Sequence, residues 1–167
     1  MSTRLDDRVV EVRVADWEFE CCLRPIVLRQ FCRWWLTFCP GGEPVAHYVW
    51  TVRETTTGPR LDGHRVVARW WCPRHPAPRP GTRPMSGVLS GTAHCAEPDG
   101  IPAVMGRVRR LRVISEQLRW ETRDGGDVVA AVPGSVVLTD VARTPDRYDL
   151  SAGPGRSQTG VLIDLET

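Results

Sequence analysis

The 167-residue sequence contains no lysine and no asparagine, and all 22 of its basic side chains are arginines. Lys and Asn codons are A-rich, whereas Arg, Ala, Gly, Pro and Val codons are rich in G and C. The pattern is therefore expected of a GC-rich genome. It also means that arginine here need not have been selected for its planar, bidentate guanidinium. Long apolar runs are absent as well. Val136-Val137-Leu138 is one of the short runs present and Val128–Val132 is longer by two residues, whereas a membrane-spanning helix needs about 20 such residues. The opening Met1-Ser2-Thr3-Arg4-Leu5-Asp6-Asp7-Arg8 has no apolar segment of the secretory type. A cytoplasmic location is expected, in which the six cysteines stay reduced. No phosphate-cradling loop is evident, because Gly153-Pro154-Gly155 is not followed by a helical pattern. These absences exclude membrane-helix, collagen-like, repeat-array and secreted disulfide-scaffold classes, and no nucleotide cofactor is implied.

Hydrophobic residues make up 41% of the chain and charged residues 25%, enough to bury a core in a single domain over 1–167. The net charge of +2 conceals an asymmetry. Residues 1–20 carry three Arg and six acids, residues 21–95 ten Arg and three acids, and residues 96–167 nine Arg and eleven acids. The basic middle also holds five of the seven Trp, all six Cys (Cys21, Cys22, Cys32, Cys39, Cys72, Cys95) and all four His (His47, His64, His75, His94). Any chemistry is expected to sit there.

Periodicity favours strands nearly throughout. Val10, Val12 and Val14 alternate with Glu11 and Arg13, the mark of a half-buried strand. The phase flips at Trp17, Phe19 and Cys21, which predicts a bulge or bend near Ala15-Asp16. Strands are predicted over 26–38 (with a helical alternative over 26–36), 45–55, 65–71, 85–95, 104–122, 128–132, 135–141 and 160–165. Turns are predicted at Cys39–Pro44, at 56–63 and at Asp124-Gly125-Gly126-Asp127. Five Pro and three Arg between Cys72 and Pro84 predict a polyproline-like loop over 72–84, a surface insertion or a segment for an aromatic groove. The fold expected is an all-β barrel or sandwich of short antiparallel strands with little helix. The triplets Arg33-Trp34-Trp35 and Arg69-Trp70-Trp71 look repeated, but nothing around them matches, and the repetition reads as coincidence.

Val12-x-Val14-x-Asp16-Trp17-x-x-x-Cys21-Cys22-x-x-Pro25 resembles the opening motif of an uncharacterised actinobacterial family of small proteins. Gly106-Arg107-Val108-Arg109-Arg110-Leu111, Val132-Pro133-Gly134-Ser135 and Gly160-Val161-Leu162-Ile163-Asp164-Leu165 resemble its later segments. The resemblance covers the first 26 residues and about the last 60. Leu23 stands where such proteins usually carry Gly. The family brings no activity with it, so the resemblance bears on fold and origin.

Several constellations carry chemistry. Cys72-Pro73-Arg74-His75 has the short spacing by which one turn presents two zinc ligands, and Cys22 and His94 would complete a set. The bland alternative is free Cys packed as small hydrophobes and a solvated His75. The adjacent Cys21-Cys22 would make a redox pair only across a strained turn. A nucleophilic site would draw on Cys22 or Cys95 with His94 or His75 and Asp16, although no local catalytic signature accompanies them. Asp16, Glu18 and Glu20 on one strand face would suit acid–base or cation chemistry, and usually mean a solvated face. Arginines neutralise phosphate while tryptophans stack on bases. The residues expected to do so are Arg33, Trp34, Arg69 and Trp70, with Arg107 and Arg109 as part of a second basic stretch. The protein is thus expected to be a non-catalytic binding protein, with zinc as its candidate cofactor and nucleic acid or another anionic molecule as its candidate partner. A small Cys/His pocket enzyme is the alternative.

Overall fold

The computed structural model describes residues 8–63, 65–93, 101–123, 125–151, 153 and 155–167. The expectation of an all-β protein holds. The described residues form ten strands and one short helix: β1 Val9–Ala15, α1 Asp16–Cys21, β2 Phe31–Pro40, β3 Ala46–Arg53, β4 Arg60–Gly63, β5 Val66–Trp70, β6 Gly81–Thr92, β7 Val104–Arg123, β8 Gly126–Ala131, β9 Val137–Val141 and β10 Arg156–Glu166.

The strands make one sheet that returns on itself. β10 pairs β1, β1 meets β6, β6 pairs β2, β2 pairs β7, and β7 pairs β10 again. A second circuit, β6–β3–β4–β5–β2, shares the β2–β6 pair. Most pairs are antiparallel, but β2–β5 and the single β1–β6 bridge are parallel, so the sheet is mixed. β7 is a 20-residue strand, long enough to serve β10, β2, β9 and β8 in turn. It ends in a β7–β8 hairpin whose Trp120 is 74% exposed.

Alternation explains the core. Val10, Val12 and Val14 of β1, Trp34, Leu36 and Phe38 of β2, and Tyr48, Trp50 and Val52 of β3 all point inward and are buried. Phe38, Tyr48 and Trp50 form an aromatic centre, with Phe38–Trp50 centroids 5.5 Å apart and Tyr48–Trp50 centroids 5.3 Å apart. β10 bulges between Gln158 and Gly160. Gly160 has φ +150°, and a Cβ there would fall on the Val14 carbonyl oxygen of β1. Only glycine allows that approach.

Four expectations need correction. The phase flip after Ala15 is a change of element, since Asp16–Cys21 is helical. Two acids, Asp16 and Glu18, lie in its first turn, where they complement the unpaired N–H groups. Residues 26–30 are not strand, and β2 begins at Phe31 and runs through Pro40, past the predicted turn. Residues 60–63 form β4 rather than turn. The Pro/Arg loop is shorter than predicted because β6 already starts at Gly81. Pro84 is tolerated within β6 because residues 81–86 pair only with β3, and the pairing with β2 starts at Gly87. A proline missing its N–H fits such an edge.

Candidate functional site

β2 and β5 run parallel in register, with Leu36 beside Ala68, Thr37 beside Arg69 and Phe38 beside Trp70. Trp71 extends the pairing, its N–H donating to the Phe38 carbonyl at 3.0 Å. Alternation then sends Trp34, Leu36, Phe38, Val66 and Ala68 into the core. The opposite face receives Trp35, Thr37, Arg69 and Trp71. A cavity of about 490 Å³ lies on that face, lined by Arg13, Ala15, Trp17, Glu18, Trp35, Leu36, Thr37, Arg69, Trp71, Ser90, Gly91 and Thr92. Trp17, from α1, is 53% exposed and Trp71 is 62% exposed.

A second cavity of about 530 Å³ shares Arg13, Thr37, Trp71 and Ser90 with the first. Cys39, Glu43, Cys72, Arg74 and His75 are among its other walls. The two form one groove with Trp71 at their junction.

The cations of the groove differ in what holds them. Arg13 is committed: it pairs with Glu116 at 2.8 Å and donates to the Glu43 carbonyl at 2.6 Å. Buried Glu116 also accepts from the Thr159 hydroxyl at 2.5 Å. Arg33 lies 5.1 Å from the Trp35 ring centroid and Arg69 lies 5.7 Å from that of Trp71. The two Arg-Trp-Trp triplets are therefore one device used twice. Each puts its first Trp toward the interior and its arginine over the second. Among the described residues no carboxylate pairs with Arg33, Arg69 or Arg74.

Glu18 is the unusual acid. It is 1% exposed. One carboxylate oxygen accepts from the Thr92 hydroxyl, and the other accepts from the Ala93 N–H at 3.3 Å. No cation pairs with it among the described residues.

The sequence-predicted site residues are dispersed. Trp34 is core, 1% exposed, and has no face to offer a ligand. Trp70 packs against the core. Arg69 lines the first cavity and Arg33 lines neither, and the two lie beside Trp71 and Trp35 rather than Trp70 and Trp34. Arg107 and Arg109 line neither cavity. Arg107 covers Phe31 at 5.2 Å and Arg109 pairs with Glu166 at 3.3 Å. The rest of that basic stretch is neutralised, Arg110 by Asp140 and Arg112 by Glu11 and Asp164.

Asp16, Glu18 and Glu20 share no strand face, because they are helical and residues two apart on a helix diverge by about 200°. Cys72 and His75 do line one cavity, but Cys22 is exposed at the end of α1. No group of three or more His, Cys, Asp or Glu among the described residues is arranged to hold a metal ion. His94 and Cys95, expected as ligand and nucleophile, lie outside the described residues.

The five described cysteines are free thiols. Burial pushes Cys32 up to about 11. Burial, reinforced by the neighbouring Cys72 thiol, pushes Cys39 up to about 12 against the pull of Arg74. The exposed Cys21 is raised too, by its hydrogen bond with Cys22 first.

Sequence reasoning missed Arg13, Trp17, Trp35, Glu18, Trp71, Arg74 and Thr92 as groove residues. Thr37 in the phase of Trp35 was an available signal, since a polar neighbour marks the outward face.

A model for a family of unknown function (DUF6578) matches residues 8–167. The match runs through the basic middle as well as the ends. No curated protein and no solved structure matches the chain.

Proposed function

From the premise that the chain belongs to this family of unknown function, we propose that it is a non-catalytic binding module that takes single-stranded nucleic acid into the Trp-lined groove. The observation that carries the reading is the convergence of Trp17, Trp35 and Trp71 on one cavity, with Arg69 in its lining, Arg74 in that of the adjoining cavity, Arg33 on the Trp35 ring, and no carboxylate pairing these arginines among the described residues. Flat rings stack on indole faces irrespective of sequence, and unpaired guanidiniums meet the phosphates between them. Arg33 and Arg69 rest on Trp35 and Trp71, and the exposed Trp17 and Trp71 offer ring surface for bases. The two joined cavities give room for more than one nucleotide.

The alternative of a Cys/His pocket enzyme has weaker support. Of its candidate nucleophiles, Cys22 lines neither cavity and Cys95 lies outside the described residues.

The test is fluorescence anisotropy with a labelled ten-nucleotide oligothymidylate over a salt series. About three phosphate contacts at roughly 0.7 released counterions each predict a log–log slope near −2, so affinity falls about 20-fold between 50 and 200 mM salt. Intrinsic Trp fluorescence is quenched in parallel. Absence of quenching, a salt-independent affinity, or equal affinity for a duplex of the same length overturns the reading.

A further inference from the structure

We propose that Cys39 and Cys72 are a modification site: a peroxide joins them in a disulfide that staples β2 to the turn carrying Trp71 and Arg74 along the groove. The inference stands on the fold and does not depend on what the groove holds.

The sheet brings together two thiols that lie thirty-three positions apart in the sequence. Phe38 of β2 lies beside Trp70 of β5 in parallel register, and the Trp71 N–H donates to the Phe38 carbonyl at 3.0 Å. Cys39 is therefore level with Trp71, and Cys72 is the next residue along. One strand spacing and one residue rise put their Cα atoms roughly 6 Å apart, inside the span a disulfide bridges. On a continuing strand Cys72 would face away from Cys39. Instead the chain turns there, with the His75 N–H donating back to the Cys72 carbonyl at 3.4 Å. Both side chains line one cavity, and the thiols hydrogen-bond to each other. Access differs between them. Cys39 is half-buried whereas Cys72 is buried, so a small oxidant entering the cavity meets Cys39 first and Cys72 resolves the product.

The chemistry balances with hydrogen peroxide. The Cys39 thiolate attacks one peroxide oxygen, forming a sulfur–oxygen bond and breaking the oxygen–oxygen bond. The hydroxide released takes up the proton that the thiol gave and leaves as water. The Cys72 sulfur then displaces the sulfenic hydroxyl, which departs with the Cys72 proton as a second water. The two thiols lose two electrons and two protons, and one peroxide becomes two waters. Burial, reinforced by the Cys72 thiol, pushes Cys39 up to about 12 against the pull of Arg74, so the first step is slow near neutrality. The same balance makes the product durable, because a stabilised thiolate is what makes a disulfide easy to reduce.

The experiment treats the full chain with excess hydrogen peroxide at about pH 8, blocks the remaining thiols with iodoacetamide and maps tryptic peptides without reduction. Cleavage at arginine isolates Cys39 in residues 34–53 and Cys72 in residues 70–74, each the only cysteine of its peptide. The expected result is these two peptides joined, in monomeric protein, and separated again by dithiothreitol. Closing so long a loop raises Tm by roughly 5–15 °C in the oxidised protein. In Cys72→Ser, Cys39 has no partner, goes on to the sulfinic acid, and the rise in Tm is lost. Peptides recovered apart, or joined only between two chains, overturn the site. Joined peptides with an unchanged Tm overturn the staple. The wild-type map decides the site even if Cys72→Ser does not fold.

Discussion

Replacing Trp71 by alanine and, separately, Trp34 by alanine separates a binding tryptophan from a core one. Trp71 is 62% exposed and sits at the junction of the two cavities. Its removal strips a stacking surface but leaves no internal void, so the stability change stays within about 0.5 kcal/mol. Base–aromatic stacking contributes about 1–3 kcal/mol per base, which is roughly a 5- to 150-fold loss of affinity. Trp34 is the opposite case. It is 1% exposed, its indole Nε1 has no hydrogen-bond partner among the described residues, and its ring packs against the backbone at Gly91. Truncation loses packing without losing a hydrogen bond, at a cost of about 3–5 kcal/mol. For a chain of this length that lowers Tm by roughly 6–20 °C. Differential scanning fluorimetry and oligothymidylate anisotropy on the two variants give the four numbers needed. Unchanged affinity in Trp71→Ala would refute the assignment of the groove. A Tm drop in Trp71→Ala matching that of Trp34→Ala would show that the ring is structural.

Three further perturbations probe the frame that holds the groove. Gly160→Ala places a Cβ on the Val14 carbonyl oxygen at φ +150°, so Tm falls by about 5 °C or more in thermal melts; an unchanged melt would mean the β1–β10 approach is not tight. Arg112→Leu leaves Glu11 and Asp164 facing each other without their shared cation, a loss of about 3–5 kcal/mol in denaturant titration. Adding Asp164→Asn recovers part of that loss, and no recovery would refute the ion-pair account. Stability also falls in alkali. Burial raises Cys32 from 9.0 to about 11 and lifts Tyr48 and Tyr148 as well. The native state keeps these protons while the unfolded chain releases them, so the unfolded state binds fewer protons and ΔG of unfolding declines from about pH 9 upward. A Tm that stays flat between pH 8 and pH 11 would contradict this.

Much of the fold was legible because strand alternation is a local property. Val10, Val12 and Val14 announce β1, and the stretch from Val104 to Arg123 announces β7, independently of what they pair with. The helix was not legible. Trp17, Phe19 and Cys21 are spaced two apart, and a six-residue helix is too short to display its own period. The exposures decide what the spacing could not: Trp17 faces out at 53% while Phe19 faces in at 8%, although a strand would have put them on the same side. That one misreading hid two walls of the groove, Trp17 and Glu18, and it turned three acids into a surface stripe that does not exist.

The Trp pairs were half legible. Two adjacent tryptophans on a strand must face opposite ways, and hydrophobicity cannot rank them because they are the same residue. Their neighbours can. Leu36 and Phe38 share the phase of Trp34, while Arg33 and Thr37 share that of Trp35. Val66 and Ala68 share the phase of Trp70, while Arg69 shares that of Trp71. Parallel register then sets the two outward phases side by side, a pairing that joins residues more than thirty positions apart and that no local pattern reports. The same logic explains why Glu18 looked ordinary. A carboxylate on a polar stripe invites no question. One that is 1% exposed and held by the Thr92 hydroxyl and the Ala93 N–H, with no cation beside it among the described residues, does, because burial asks a donor of every acceptor.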